Sequence, residues 1–190
     1  MIKIKMSVEM KEIIEIGKKL KEEGLTYSVF GNISVRVDNF LIITKTGTVL
    51  SELKKEDLIK LPIFEKTDKD KFASVELPLH REIYKKTKAR AIVHSHPIFS
   101  VIMSILCKEK YVPLDYETKR FLKEVPIVEG ESGSHELALK VAEALSNVNA
   151  VIIRGHGVFA TGENLKEAFF YTCMLEHSCK ISYFVKLIGK

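Results

Sequence analysis

Tryptophan and glutamine are missing from this 190-residue chain, and cysteine occurs only three times. Cys107, Cys173 and Cys179 are odd in number and form no Cys-x-x-Cys pair. Neither a disulfide framework nor a thiolate zinc site is therefore indicated, and a reducing cytoplasm is the natural setting. No apolar run approaches the ~18 residues of a membrane span. Residues 1–6 lead straight into a charged amphipathic stretch, which is not the pattern of a secretory leader. Also lacking is a basic run interleaved with aromatics. The 30 Lys and Arg are offset by 25 Asp and Glu spread along the chain, leaving a net charge of +5. That modest excess suits a phosphorylated small molecule as well as nucleic acid, and with no basic run interleaved with aromatics a small-molecule partner is expected, with no nucleic acid and no membrane. Abundant Lys, Glu and Ile without Gln is a bias of proteins from hot-living organisms.

What is present is enough to fold. Hydrophobic residues make up 46% and charged residues 29% of a chain whose length suits one domain over residues 1–190. Val8, Ile13, Ile16 and Leu20 recur at helical spacing and predict a helix over residues 7–24, capped by Ser7 and stopped at Gly24. Two β-rich runs, 33–37 and 40–44, flank Asp38-Asn39 and predict a hairpin. A further strand is expected over 58–64, then an exposed turn over 65–71. A helix over 77–86 is entered through Pro78, a buried strand covers 89–94, and a second helix starts after Pro97. Residues 111–128 read as short strands and turns. A helix over 134–145, strands at 150–153 and 158–161, and a long helix over 164–187 complete the chain. This order is not a regular βαβ repeat. It predicts an α/β fold of α+β character, a three-layer α/β/α sandwich around a largely antiparallel central sheet.

His94-Ser95-His96 ends a strand-like run, and side chains two apart on a strand point the same way, so both imidazoles can reach one ion. His156 lies between two glycines in a turn joining two strands. Three histidines with an open fourth position describe a catalytic zinc, whereas structural zinc is usually closed by four ligands. Glu76 stands at the mouth of a helix whose next turn carries His80; a carboxylate there suits a metal ligand, a general base, or a helix-start acid favoured by the macrodipole. Two glycine turns, around Gly31-Asn32 and Thr46-Gly47, have the composition of anion cradles.

Read in order, Gly31-Asn32-Ile33-Ser34-Val35-Arg36, Ile43-Thr44-Lys45-Thr46-Gly47, Ser74-Val75-Glu76, His94-Ser95-His96 and Gly155-His156-Gly157-Val158 resemble the class II aldolase and adducin head family over nearly the whole chain. The resemblance implies a class II aldolase-like domain. It makes His94, His96 and His156 the ligands of one divalent metal per subunit, with Zn2+ expected and Mn2+, Co2+ or Fe2+ as alternatives. It makes Glu76 the proton carrier, and a metal ligand when substrate is absent. Gly31, Asn32, Thr46, Gly47 and Ser74 are implied to hold a substrate phosphate. Tyr116 is implied to enter a neighbouring subunit's site in a homotetramer with sites at its interfaces. His80 is read as a supporting or core histidine. The reaction implied is reversible cleavage of a ketose 1-phosphate, such as L-fuculose 1-phosphate, to dihydroxyacetone phosphate and an aldehyde through a metal-stabilised enediolate. The rivals are a ribulose-phosphate 4-epimerase, a methylthioribulose-phosphate dehydratase and, from another class, an adducin-like binding module. Val29 and Val75 replace hydroxyl residues of the family's phosphate site, so each removes a donor.

Overall fold

The computed structural model describes residues 2–189, with side chains from Ser7 onward. Met1 and Lys190, the ends of the span read as one domain, lie outside the described residues, as does the first residue of the stretch read for a leader. Eight strands form one sheet: β1 (Asn32–Val37), β2 (Phe40–Thr44), β3 (Leu58–Pro62), β4 (Ala91–Ser95), β5 (Lys110–Tyr111), β6 (Val125–Val128), β7 (Ala150–Ile153) and β8 (Gly157–Gly162). Their spatial order is β3-β2-β1-β4-β8-β7-β6-β5, and among the described residues only β6 and β7 run parallel. The expected largely antiparallel sheet is what the chain builds.

Helices cover both faces. On one lie α2 (Leu77–Lys86) and α5 (His135–Ala144), whose Leu79, Ile83, Leu137 and Val141 pack on Ile43, Ile92, Val151 and Phe159. The other carries α1 (Ile2–Glu22), α3 (Ile98–Leu106), α4 (Tyr116–Leu122) and α6 (Leu165–Leu187). There Ile13 and Leu20 of α1 meet Ile33, Val35 and Val93, while Leu175 and Cys179 of α6 meet Ile152, Val158 and Ala160. Each buried Leu or Ile contributes about 1.5–3 kcal/mol by leaving water. The strict in-and-out alternation of β1, β4 and β7 lets one short strand serve both cores. Among the described residues, no helix is long and apolar enough to cross a membrane.

Two expectations need correction. Ser7 is not an N-cap: the helix already runs from Ile2, because nothing between residues 2 and 6 breaks it, and Ser7 sits inside it. Its stop is as expected, with the amide of Leu25 bonding back to the carbonyl of Leu20 at 2.8 Å beside Gly24. The stretch 111–128 also holds a full helix, α4, capped by the Asp115 carboxylate on the amide of Thr118. The 65–71 segment is a turn, yet Asp70 is drawn in to form an ion pair with the buried Arg81.

Candidate active site

β4 ends where the chain must leave the sheet, and its neighbours decide what gathers there. β1 and β8 flank it, pairing Asn32 with His94 and Phe159 with His94. Side-chain alternation turns Asn32, Ser34, Ile92 and His94 toward the α2 face. His96 follows one pleat later, its amide held by the carbonyl of Leu25 at 3.0 Å. The β7–β8 turn presents His156, whose amide bonds to the carbonyl of Ile153 at 3.0 Å. This approach requires Gly157: a Cβ there would lie 2.3 Å from the Ser95 carbonyl oxygen and 3.2 Å from Cε1 of His94. Gly31, with φ +92°, is similarly committed, since a Cβ would meet the His94 carbonyl oxygen at 2.7 Å.

The three histidines offer ligand nitrogens within 4.8 Å of one another, and Nε2 of His94 and His96 are 3.0 Å apart. Metal–imidazole bonds of 2.0–2.1 Å place tetrahedral ligands roughly 3.3 Å apart, so the spacing is metal-sized. Nδ1 of His94 lies 2.9 Å from the Val158 carbonyl, which only accepts; the proton is on Nδ1 and the Nε2 lone pair faces the site. His94 also stacks on Phe159, with ring centroids 4.2 Å apart.

Glu76 takes the N-cap position of α2 without capping it. Its carbonyl receives the amides of Leu79 and His80, while its carboxylate is turned into the site. Oε2 is 3.1 Å from Nε2 of His94, and Oε1 is 3.8 Å from Nε2 of His156 and accepts from the Ser132 hydroxyl at 3.0 Å. Oε2 is fully buried and accepts no hydrogen bond. A carboxylate oxygen and imidazole lone pairs thus converge with too few protons among them. A single proton on His96 would satisfy one contact and still leave Oε2 alone. A divalent cation satisfies all of them, so the donor set fits a metal.

The electrostatics agree. Burial, followed by the charge of His156, pushes His94 down to about 3; burial, followed by His94 and His156, does the same to His96. Both rings are neutral at physiological pH, the state that metal ligation needs. Burial raises Glu76 above the usual carboxylate range, against the opposing pull of His156, Ser132 and Asn32.

A cavity of about 530 Å³ opens over this cluster. His94, His96, His156 and Glu76 form its floor. The five residues expected at the phosphate, Gly31, Asn32, Thr46, Gly47 and Ser74, line its wall, joined by Val29 and Val75. Tyr116 does not line it: it opens α4 and is 76% exposed. Ser132 and Lys45 also line the cavity, and sequence reasoning assigned them no role. Lys45 belongs to the Ile43-Thr44-Lys45-Thr46-Gly47 run, but nothing in Glu129-Gly130-Glu131-Ser132 marks the serine.

The sequence pattern of the Class II Aldolase and Adducin N-terminal domain matches residues 11–183. The chain belongs to that family. Among class II aldolase relatives, the L-fuculose phosphate aldolase of Methanococcus vannielii is 34% identical, the match covering 96% of this chain and 100% of that protein. The enzyme of the same name from Methanocaldococcus jannaschii is 32% identical over the same shares. The crystal structure of L-fuculose-1-phosphate aldolase from Thermus thermophilus superposes with a TM-score of 0.87 at 39% identity, covering 92% of each chain. A methylthioribulose-1-phosphate dehydratase of Methylococcus capsulatus is 29% identical, covering 87% of this chain and 88% of that one.

Proposed function

We propose that this chain is a metal-dependent aldolase that reversibly cleaves a ketose 1-phosphate, such as L-fuculose 1-phosphate, into dihydroxyacetone phosphate and an aldehyde. The observation that carries this reading is the orphaned, buried Oε2 of Glu76 set against imidazole nitrogens at the floor of the cavity. His94, His96 and His156 would hold the metal, with Zn2+ the expected ion for an all-imidazole set. When bound, such an ion supplies Lewis-acid stabilisation of negative charge on the substrate's neighbouring oxygens.

Glu76 moves the proton. In the aldol direction its carboxylate removes a proton from the carbon beside the carbonyl. In cleavage the C4 hydroxyl gives up its proton to Tyr116 of the neighbouring subunit as the aldehyde forms, the C3–C4 bond breaks with its electron pair passing into the enediolate, and protonated Glu76 delivers a proton to C3. A carboxyl whose pKa is raised by burial can hold the proton between these steps. The phosphate is assigned to the wall formed by Gly31, Asn32, Thr46, Gly47 and Ser74, where Lys45 adds a positive charge to a lining in which Val29 and Val75 supply no hydroxyls. Glutamate at position 76 favours the aldolase over an epimerase, in which the family carries aspartate.

Tyr116 is assigned to the neighbouring site of a homotetramer. The exposed Ile98, Ile105 and Leu114, each more than half exposed, supply apolar surface for such an assembly. Light scattering should give four chains per particle; a fully active monomer rejects the shared site. The function itself is tested with a panel of sugar phosphates with and without EDTA, following triose phosphate release against epimer and dehydration products. Triose phosphate release that EDTA abolishes and Zn2+ restores is expected. Purified protein without stoichiometric divalent metal and indifferent to chelator overturns the enzymatic reading and leaves the binding module.

A further inference from the structure

Glu76, His80 and Tyr84 fall four residues apart and share one side of the α2 end of the chain. Below them Asn32, Ser34 and Arg36 alternate onto the same face of β1. The two rows are joined by buried hydrogen bonds. Tyr84 Oη lies 2.8 Å from Ser34 Oγ, Ser34 Oγ lies 2.7 Å from His80 Nδ1, and His80 Nε2 lies 2.5 Å from Asn32 Oδ1. Arg36 closes the far end by donating to the Tyr84 carbonyl at 2.8 Å. Tyr84, Ser34 and His80 are at most 1% exposed and Asn32 is 5% exposed, so water does not compete along the row.

The donor inventory fixes its direction. The Asn32 carboxamide oxygen only accepts, so Nε2 of His80 carries the proton. The Nδ1 of that neutral ring then accepts from the Ser34 hydroxyl, and Ser34, its one proton used, accepts from the Tyr84 phenol. Every bond points toward Asn32. Burial agrees with these protonation states: it holds the His80 ring neutral and keeps the Tyr84 proton in place.

We propose that this one-way relay makes His80 a positioning residue of the site: it pins the Asn32 oxygen away from the cavity and leaves the Asn32 NH2 turned toward Glu76 and the substrate. The carboxamide of an unpinned Asn32 can flip, setting an oxygen lone pair against a buried carboxylate whose Oε2 accepts no hydrogen bond. The relay explains why a histidine one turn beyond Glu76, too deep to touch substrate, is polar at all. Its kinetic consequence rests on the reading of Glu76 as proton carrier; its hydrogen-bond direction does not.

Two measurements on the whole, metal-loaded protein test it. Selective 15N labelling of histidine locates the His80 proton, the signal being assigned by its loss in His80→Gln. A proton on Nε2 is expected, and a proton on Nδ1 overturns the proposal whatever the enzyme acts on. Steady-state kinetics then compare His80→Phe, which removes the donor, with His80→Gln, whose NH2 can still reach the Asn32 oxygen. His80→Phe should lower kcat by about tenfold or more at unchanged metal content, KM moving by no more than about threefold, and His80→Gln should recover most of the loss. Wild-type kcat in His80→Phe, or a Gln variant no better than Phe, overturns it. If His80→Phe does not fold, His80→Asn, too short to reach Asn32, takes its place in the comparison. A wild type that cleaves no sugar phosphate defeats the proposed function, while the tautomer still decides the relay.

Discussion

At the scale of single residues, Glu76 shows how one side chain can be placed by several weak demands. It occupies a helix start, where the macrodipole favours an acid, yet it makes no capping bond. Its carboxylate is spent on Ser132 and on the histidine cluster instead. Replacing it with glutamine preserves shape and the hydroxyl bond from Ser132 while removing the group that accepts a proton. Glu76→Gln should therefore keep its divalent metal, measured per chain, and lose about 10²–10⁴-fold in kcat, the usual share of a general acid–base group. Turnover at the wild-type rate would place the base elsewhere. The imidazoles divide the labour differently: His94 is fixed in tautomer by Val158, whereas His156, on the outer turn, is a quarter exposed at its side chain.

Among the elements, those that carry the site were legible from local chemistry. Asp38-Asn39 announces the β1–β2 hairpin, and Pro78 sets the first turn of α2. Pro97 ends β4 and opens α3 one residue after His96. What could not be read was adjacency. His156 reaches His94 because β8 pairs with β4, and Asn32 reaches it because β1 pairs with β4 on the other side. Those are contacts between segments about 60 residues apart in sequence, and hydrophobic alternation is equally content with other strand orders. The family resemblance supplied the grouping that periodicity lacked. The missed helix α4 has another cause. Only Thr118 and Leu122 of its seven residues are buried, too few to print a helical period, although the Asp115 cap was visible. The relay of Tyr84, Ser34 and His80 was half-written in the sequence as two spacings, four on the helix and two on the strand; only their packing face to face gave the spacings a meaning.

For the molecule as a whole, neutral buried histidines tie stability to pH. His80, His94 and His96 are each held at about 3 by burial, well below the ~6.5 of an unfolded histidine. Below pH ~6.5 the unfolded chain takes up protons that the folded one refuses, so stability is whole above that value and is lost as pH falls toward 3. Each fully buried ring contributes a slope of up to about 1.4 kcal/mol per pH unit, and the partly exposed His96 less. Glu76 acts in the opposite sense: raised by burial, it favours the folded state at low pH and withdraws that support as pH rises through its own titration. One group opposes three, and the histidines prevail. Asp70, held low by Arg81 and Thr67 against its own burial, keeps its contribution down to the acid end and leaves the window between about 6.5 and 4.5 to the rings. Urea midpoints of EDTA-treated protein should therefore drop steadily between pH 7 and 4.5. The metal-loaded protein should drop more steeply, because the ion must also be released as the histidines protonate. A midpoint that stays level over this range would mean that folding does not lower the proton affinity of these rings, and one that rises as pH falls would mean that His94 and His96 already carry protons in the folded chain, forming an ion-pair network around Glu76 in place of a metal centre.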